Sequence, residues 1–289
     1  MRKDLAVAAA ILVAASTAQA QDIGVGSGRY ERGEAVGATS ERQSVYYHRP
    51  ANWSPTGRIV VVMHGVNRDA DRYRDEWRPL ADQHGFLLIV PEFSTAKFPG
   101  DAWYNFGGMV DASGVPRPRE GWGFGVLDRM FAEVRAATGA TRLTYSLYGH
   151  SAGAQFVHRY LLFAPSPAVD MAVAANAGWY TMPVLEESFP YGLKDGPATE
   201  ADVRVFLARP LVLQLGEADT NPNHSSLRRT PEADRQGLHR FARGMNYMAV
   251  ARREATRYGI LLAWKVVTVP GVGHSNGKMA EHAARELFR

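Results

Sequence analysis

The sequence predicts an α/β protein with a mostly parallel central sheet and helices on both faces. Three observations lead to this prediction. Short apolar segments of strand length recur along the chain, several of them apolar at consecutive positions, as is typical of strands buried on both faces. Segments with helical periodicity separate them. A strand-like segment and a helical one also meet at a glycine-rich turn, Gly-His-Ser-Ala-Gly at residues 149–153. Alternation of this kind favours a layered α/β sheet.

The predicted elements follow one another from the amino to the carboxyl end. Residues 21–37 are rich in glycine and charge and are predicted to be a loosely held lead-in. Six segments are predicted strands: residues 58–63, 86–90, 143–148, 171–175, 210–215 and 262–269. Four segments are predicted helices: residues 73–84, 123–138, the turns after Ser151, and 231–258, which ends at Gly259.

The first twenty residues are a separate unit. Arg2 and Lys3 precede an apolar run at residues 5–15, and Ala-Gln-Ala at 18–20 matches a small-x-small cleavage site. This pattern predicts a signal peptide at residues 1–20 and export to the periplasm or the medium. A retained anchor is the alternative, although the run is short for a membrane span. Residues 21–289 are predicted to be one domain, because no linker-like shift in composition divides them.

Composition excludes several classes of protein. The 289-residue chain has no cysteine, which rules out disulfides, thiolate metal sites and a cysteine nucleophile. Its sequence pI is about 9.3, but the basic residues are dispersed and lack interleaved aromatic residues, so no nucleic-acid partner is predicted. Histidines do not occur at metal-ligand spacing, and no glycine-rich nucleotide loop follows the first strand. We therefore predict neither a metal nor a cofactor.

The turn at residues 149–153 carries the strongest chemical signal. Gly-x-Ser-x-Gly between a strand and a helix is the pattern of a nucleophile elbow, in which the serine occupies a strained backbone conformation. Small neighbours are needed there, and Gly149, Ala152 and Gly153 provide them. Ser151 is the predicted nucleophile, and a surface turn rich in glycine is the alternative.

A serine hydroxyl needs a base, and the base needs a carboxylate that orients it. In an elbow fold both follow the serine along the chain, in the order acid and then histidine. His274 lies in a glycine-containing loop just after the last predicted strand, which makes it the predicted base. Asp219 follows the strand at 210–215 and is the predicted acid, with Glu217 as the alternative.

Two backbone N–H groups are predicted to form an oxyanion hole. One belongs to Ala152, directly after the nucleophile, and the other to Val66, in the loop after the first predicted strand. His64 precedes the serine along the chain, so we interpret it as an orienting or hydrogen-bonded structural residue, and we also include it among the candidate substrate-binding residues.

Two long loops, near residues 93–122 and 178–209, are predicted to lie over the carboxyl ends of the strands, where α/β sheets bind ligands. They are rich in aromatic residues, and four of these are candidates for a substrate pocket: Trp103, Tyr104, Trp122 and Trp179. Packing within the loops is the alternative for each of them.

Together these motifs resemble the α/β-hydrolase superfamily. The resemblance rests on His-Gly at 64–65, Gly-His-Ser-Ala-Gly at 149–153, Gly-Glu-Ala-Asp at 216–219 and Gly-His-Ser at 273–275, and it extends from about Val45 to the carboxyl end. Within the superfamily the chain looks like exported esterases related to polyhydroxybutyrate depolymerases and feruloyl esterases. It departs from the His-Gly-Gly-Gly loop of hormone-sensitive-lipase-like esterases, because Val66 follows Gly65.

The predicted activity is therefore hydrolysis of a carboxylic ester by a serine nucleophile. Short-chain, aromatic or polyester-type esters are the expected substrates, with no nucleic-acid partner and no stable membrane insertion after signal cleavage. A serine peptidase or thioesterase of the same fold is the first alternative, since the triad chemistry is shared. A non-catalytic binding protein that keeps the fold is the second.

Overall fold

One eight-stranded sheet organises residues 22–111 and 113–288, the part of the chain that the computed structural model describes. The predicted signal peptide lies outside these residues. The strand order across the sheet is β1-β2-β4-β3-β5-β6-β7-β8. The strands are β1 (Gly26–Arg32), β2 (Gln43–Arg49), β3 (Ile59–Met63), β4 (Leu87–Pro91), β5 (Tyr145–His150), β6 (Val169–Ala175), β7 (Leu211–Gly216) and β8 (Trp264–Val269).

Helices connect the strands and cover the sheet. They are α1 (Ala70–His84), α2 (Gly100–Trp103), α3 (Gly125–Thr138), α4 (Ala152–Phe163), α5 (Glu200–Leu207), α6 (Pro231–Gln236), α7 (Arg240–Tyr258) and α8 (Asn276–Leu287), with a 3-10 turn at Arg119–Gly121. No helix of the described residues is both long enough and apolar enough to cross a membrane.

The predicted fold class is confirmed. All strand pairs from β4 to β8 across the sheet are parallel, and only β1 with β2 and β2 with β4 pair antiparallel. Each of the six predicted strands is present, with its ends within two residues of the predicted positions. These strands are the easiest to predict because they are buried on both faces and therefore apolar throughout.

The amino-terminal edge of the sheet corrects one prediction. Residues 26–32 are not a loose lead-in but strand β1, which pairs with β2 along its whole length, from Gly26 opposite Arg49 to Arg32 opposite Gln43. Glycine, serine and charged residues occupy six of its seven positions, so its sequence lacks the apolar signal of the inner strands. Pairing with a distant segment stabilises it, and local sequence does not show such pairing.

The predicted helix at residues 231–258 is also corrected, since it is two helices. Gly237 has φ +146°, which ends α6, and His239 adopts an extended conformation before α7 begins at Arg240. The Nδ1 atom of His239 accepts a hydrogen bond from the Ala242 N–H and so caps the new helix. His239 is therefore a capping residue and does not lie inside a helix.

Alternate residues of the inner strands face two separate cores. On β3, Ile59, Val61 and Met63 pack with the cluster under α3, α4, α5 and α7, whereas Val60 and Val62 pack with the cluster under α1 and α8. This period of two follows from the strand geometry. Because helices cover both faces, ligands reach the sheet at the ends of its strands. The carboxyl ends of β3, β5, β7 and β8 lie together at one such end.

Candidate active site

The turn between β5 and α4 has the geometry of a nucleophile elbow. Ser151 has φ 58° and ψ −114°, a strained conformation for a residue with a side chain. A Cβ atom on Gly149 would lie 2.3 Å from the Gly153 carbonyl oxygen, and one on Gly153 would lie 2.2 Å from the Met63 carbonyl oxygen. Both glycines are therefore required by close backbone approach, and the turn lifts Ser151 out of the sheet.

Ser151, His274 and Asp219 form a hydrogen-bonded chain. The Ser151 Oγ and His274 Nε2 atoms are 2.9 Å apart, and His274 Nδ1 is 2.7 Å from Asp219 Oδ2. An ionised carboxylate only accepts, so Nδ1 carries the ring hydrogen and Nε2 is the acceptor for the serine hydroxyl. The three residues follow β5, β8 and β7, parallel strands whose carboxyl ends lie at the same end of the sheet, with β6 between β5 and β7.

The two candidate acids occupy different environments. The Asp219 side chain is 3% exposed and contacts His274, whereas Glu217 is exposed, and its backbone N–H donates to the Val269 carbonyl. The turn that begins at Gly216 thus directs Asp219 inward. Of the two predicted carboxylates, only Asp219 is brought to the histidine.

Arg240 lies behind the triad and was not identified from the sequence. Its side chain is 1% exposed, and its guanidinium forms an ion pair with Asp219, with 3.5 Å between Nη1 and Oδ1. The same guanidinium donates from Nη2 to Ser226 Oγ at 2.9 Å. Asp219 thus contacts a buried cation through Oδ1 and the imidazole of His274 through Oδ2. An isolated arginine at a helix start carries no sequence signal for such a contact.

Asn176 is a second residue that sequence reasoning missed. It directly follows β6, is 1% exposed, and has φ 50°, a conformation that asparagine tolerates better than most residues. Its Oδ1 accepts from the Gly216 N–H at 2.8 Å, and its Nδ2 donates to the Gly273 carbonyl at 3.1 Å. Asn176 therefore holds together the two loops that carry Asp219 and His274. An asparagine at a strand's carboxyl end was the available signal.

The two residues predicted to form the oxyanion hole are both near the nucleophile: Ala152 directly follows Ser151, and Val66 lines the same cleft. Ala152 begins α4, so its N–H is among the helix-terminal donors that lack an intrahelical partner. Val66 follows β3 and lines the same cleft as Ser151, with its side chain 55% exposed. Within the described residues neither amide donates a hydrogen bond. Their role as an oxyanion hole stays a prediction.

His64 is fully buried and is not among the residues that line the cleft, which corrects its inclusion among the candidate substrate-binding residues. Its Nε2 accepts from the Phe93 N–H at 3.0 Å, and its ring packs 4.8 Å from that of Tyr104. Burial lowers the pKa of His64 to about 4, which keeps the ring neutral. The interpretation as a hydrogen-bonded structural residue fits these contacts.

The four aromatic candidates are not found in the cleft, which corrects the prediction of an aromatic-lined pocket. Tyr104 is fully buried and donates to the His64 carbonyl, and Trp122 donates from Nε1 to the Arg117 carbonyl. Trp103 is half-buried and lies under the Arg117 guanidinium. These aromatic side chains are buried against other residues of the protein, as is usual for large apolar groups, and they do not line the cleft.

Trp179 packs in the same way. It is 3% exposed, its ring lies 4.6 Å from that of Tyr191, and the guanidiniums of Arg159 and Arg228 stack against it at 4.3 and 5.0 Å. Cation–π contacts of this kind hold the indole in place, and the Phe106 ring of the first long loop lies 5.6 Å from it. Trp179 therefore joins the loops to each other, and it does not face Ser151.

The cleft at Ser151 is polar instead. Its volume is about 430 Å³, and most of its lining residues carry hydrogen-bonding side chains: Gly65, Val66, Asn67, Asp69, Arg72, Tyr73, His150, Ser151, His224, Ser225, Ser226, His274, Ser275 and Asn276. One wall comes from the start of α1, where Arg72 pairs with Asp69 and Glu76, and the opposite wall comes from the loop after β7.

His150 packs against the predicted base, His274. Its ring lies 4.6 Å from that of His274, and its Nδ1 is 3.0 Å from the Tyr73 hydroxyl. Burial lowers the pKa of His150 well below its ordinary value, and the nearby His274 and Arg240 lower it further. The ring therefore packs against His274 in its neutral form and adds no positive charge beside the base.

Fold and site together define a class: the protein is a serine hydrolase with the α/β-hydrolase fold. The chain belongs to the family of serine esterases that contains polyhydroxybutyrate depolymerases, and the predicted relationship is confirmed. It is 44% identical to poly(aspartic acid) hydrolase-1 from Sphingomonas sp. KT-1, with a TM-score of 0.88 over 92% of this chain and 99% of that one. It is 36% identical to a poly(3-hydroxybutyrate) depolymerase from Bordetella parapertussis, with a TM-score of 0.86 over 92% and 91%.

A more distant structure shares the fold alone. The S-formylglutathione hydrolase from Agrobacterium tumefaciens is 15% identical, with a TM-score of 0.56 over 90% of this chain and 92% of that one. No protein-family model and no curated protein matches the chain.

Proposed function

We propose that the protein is a carboxylic-ester hydrolase that uses Ser151 as nucleophile, His274 as general base and acid, and Asp219 as the carboxylate that orients the imidazole. The observation that carries this proposal is the continuous hydrogen-bonded chain, with 2.9 Å between Ser151 and His274 and 2.7 Å between His274 and Asp219. A serine in this arrangement is activated without any metal or cofactor in the chemical step.

The reaction begins when Ser151 Oγ bonds to the ester carbonyl carbon while its proton passes to His274 Nε2. The tetrahedral intermediate then collapses, the carbon–oxygen bond to the alcohol breaks, and His274 returns the proton to the departing oxygen. A water molecule then attacks the acyl carbon while His274 takes one of its protons. The bond between the acyl carbon and Ser151 Oγ breaks, His274 returns the proton to Oγ, and the carboxylic acid is released.

Negative charge develops on the carbonyl oxygen in both tetrahedral intermediates. The N–H groups of Ala152 and Val66 are proposed to bind it. Support comes from three observations: Ala152 directly follows Ser151, Val66 lines the same cleft as Ser151, and neither amide has another acceptor among the described residues. Donors held in place before the reaction stabilise this charge without reorganising, which is worth about 3–4 kcal/mol for one such donor.

The proposed substrates are short-repeat polyesters or their oligomers. Two observations support this choice over aromatic or long-chain esters. The cleft is lined by hydrogen-bonding side chains on both walls, which suits a chain with a carbonyl group in every repeat. In addition, a relative at 36% identity is named a poly(3-hydroxybutyrate) depolymerase.

Cleavage of an amide bond is a second candidate, because the relative at 44% identity is named a poly(aspartic acid) hydrolase. The same triad chemistry would serve, with His274 protonating the departing nitrogen. Oligomers that match in acyl group and differ only in an ester or amide link separate the two candidates by their kcat/KM values.

Export is proposed on the sequence of residues 1–20 alone. The test is mass spectrometry of the protein recovered from the periplasm and the medium. A mature chain beginning at Gln21 is the expected result, and a chain that keeps residues 1–20 would contradict the proposal.

The main test is Ser151→Ala measured against a panel of oligoesters and simple esters. Alanine is small enough for the elbow, so the variant should fold and lose turnover by about a million-fold. A fluorophosphonate should label the wild-type serine and not the variant. Retention of a tenth of the activity by Ser151→Ala would refute the proposed nucleophile.

A further inference from the structure

The loop at residues 220–230, which connects Asp219 to α6, forms one wall of the cleft. It places His224 beside the base: the two imidazole rings are 5.5 Å apart and nearly perpendicular, at 64°. His224 has no hydrogen bond to Ser151, His274 or Asp219 among the described residues. It is therefore next to the reaction without belonging to the triad.

The orientation of His224 is fixed from within its own loop. Its Nδ1 accepts from the Ser226 N–H at 3.2 Å and lies 3.1 Å from Ser226 Oγ. Ser226 Oγ itself accepts from Arg240 Nη2, so its hydrogen is free to donate to the imidazole. The carbonyl of His224 also accepts from the Leu227 N–H at 2.9 Å, which closes a tight turn.

These contacts decide which ring nitrogen carries the hydrogen. A backbone N–H can only donate, so Nδ1 is the acceptor and the hydrogen resides on Nε2. Burial lowers the pKa of His224, and its neighbours Arg240 and His274 lower it further, which favours the neutral ring. Among the described residues the Nε2 atom has no partner. The cleft wall thus presents one neutral N–H donor beside His274, in the cleft that Ser151 also lines.

We infer that His224 is a specificity-determining residue whose Nε2–H donates a hydrogen bond to a substrate carbonyl oxygen outside the scissile ester. This inference rests on the proposed function. An oligomer of hydroxyacids supplies such a carbonyl in the neighbouring repeat, whereas a simple ester with an alkyl acyl group does not. A donor left unpaired by the shorter substrate costs binding energy, so His224 favours oligomers over monoesters.

The test measures a ratio: kcat/KM for a linear trimer of 3-hydroxybutyrate divided by kcat/KM for p-nitrophenyl acetate. His224→Phe keeps a ring against His274 and removes the donor, and the ratio should fall about tenfold, the effect of one neutral hydrogen bond. His224→Gln places an amide donor near the position of Nε2 and should recover most of the ratio. His84→Phe, at the exposed end of α1, is the matched control and should leave the ratio unchanged.

His224→Asn provides a second variant without a donor at the Nε2 position, in case phenylalanine prevents folding. A ratio that stays constant in His224→Phe and His224→Asn would overturn the inference, whether both rates fall together or neither changes. Equal losses would mean that the imidazole only supports His274. Turnover by Ser151→Ala would count against the proposed function, whereas this ratio bears on His224 alone.

Discussion

Replacement of Asp219 by asparagine tests the triad and its buried support in one variant. Asparagine has the same shape as aspartate, but it can present an N–H₂ group to His274 Nδ1, across a contact that is 2.7 Å in the native protein. The imidazole then shifts its hydrogen to Nε2 and can no longer accept the Ser151 proton. The expected loss in kcat is about ten-thousand-fold, or about 5 kcal/mol in activation free energy.

The same substitution removes the carboxylate that pairs with Arg240. That guanidinium is 1% exposed and has no other acidic partner among the described residues. Breaking a buried pair by removing one charge costs about 3 kcal/mol or more of folding stability. Asp219→Asn should therefore be both inactive and less stable. If Asp219 acted only in catalysis, the variant would lose activity and keep its stability.

The assays are ester hydrolysis under saturating substrate and urea unfolding of the same preparations. Glu217→Gln is the matched control, because Glu217 is exposed two residues away and should change neither quantity by much. An Asp219→Asn enzyme with more than a tenth of wild-type kcat would refute the assignment. If Glu217→Gln were the inactive variant, the triad acid would be Glu217.

Three further predictions concern residues around the site. Asn176→Ala leaves the buried Gly216 N–H without its acceptor, so it should lower the free energy of unfolding by about 1–3 kcal/mol, measured with urea, and should lower kcat. An unchanged unfolding curve would show that the two loops keep their positions without Asn176. Trp179→Ala should lower the free energy of unfolding by about 3 kcal/mol or more, because the indole is buried, and should change relative kcat/KM values across an ester panel only slightly. A changed substrate preference at unchanged stability would place Trp179 in the substrate site. His64 has a folded-state pKa of about 4, below the value of about 6.5 for an unfolded histidine, so the unfolded chain binds more protons below pH 6.5. Stability should fall by about 3 kcal/mol between pH 6.5 and 4. This slope, measured by urea unfolding across that range, should be smaller in His64→Gln and unchanged in His84→Gln, and equal slopes in all three proteins would contradict the assignment to His64.

Much of the fold follows from local sequence. The inner strands are apolar at nearly every position because both faces are covered, and this leaves a signal that needs no knowledge of neighbours. The elbow is equally local, because the close approach at Gly149 and Gly153 excludes any side chain. The chain order of serine, acid and histidine then follows from the order of the strands.

Other elements depend on distant partners and left no clear local pattern. Strand β1 has almost no apolar residues, and its pairing with β2 is what makes it a strand. The break at Gly237 depends on a backbone conformation that the helical periodicity of the neighbouring residues does not reveal. The long aromatic loops illustrate the same limit. Their aromatic composition indicated that the loops are ordered. Aromatic side chains are common both in substrate pockets and in packed cores, so composition did not distinguish the two.

The sequence by itself determined the class of fold, the position of the nucleophile and a short set of candidate partners, because these rest on periodicity and on steric rules within a few residues. Only the tertiary structure decided that Asp219 rather than Glu217 meets His274, that Arg240 and Asn176 support them, and that polar side chains line the cleft. Those contacts join residues far apart in the chain, and their distances depend on how the loops pack after the sheet has formed.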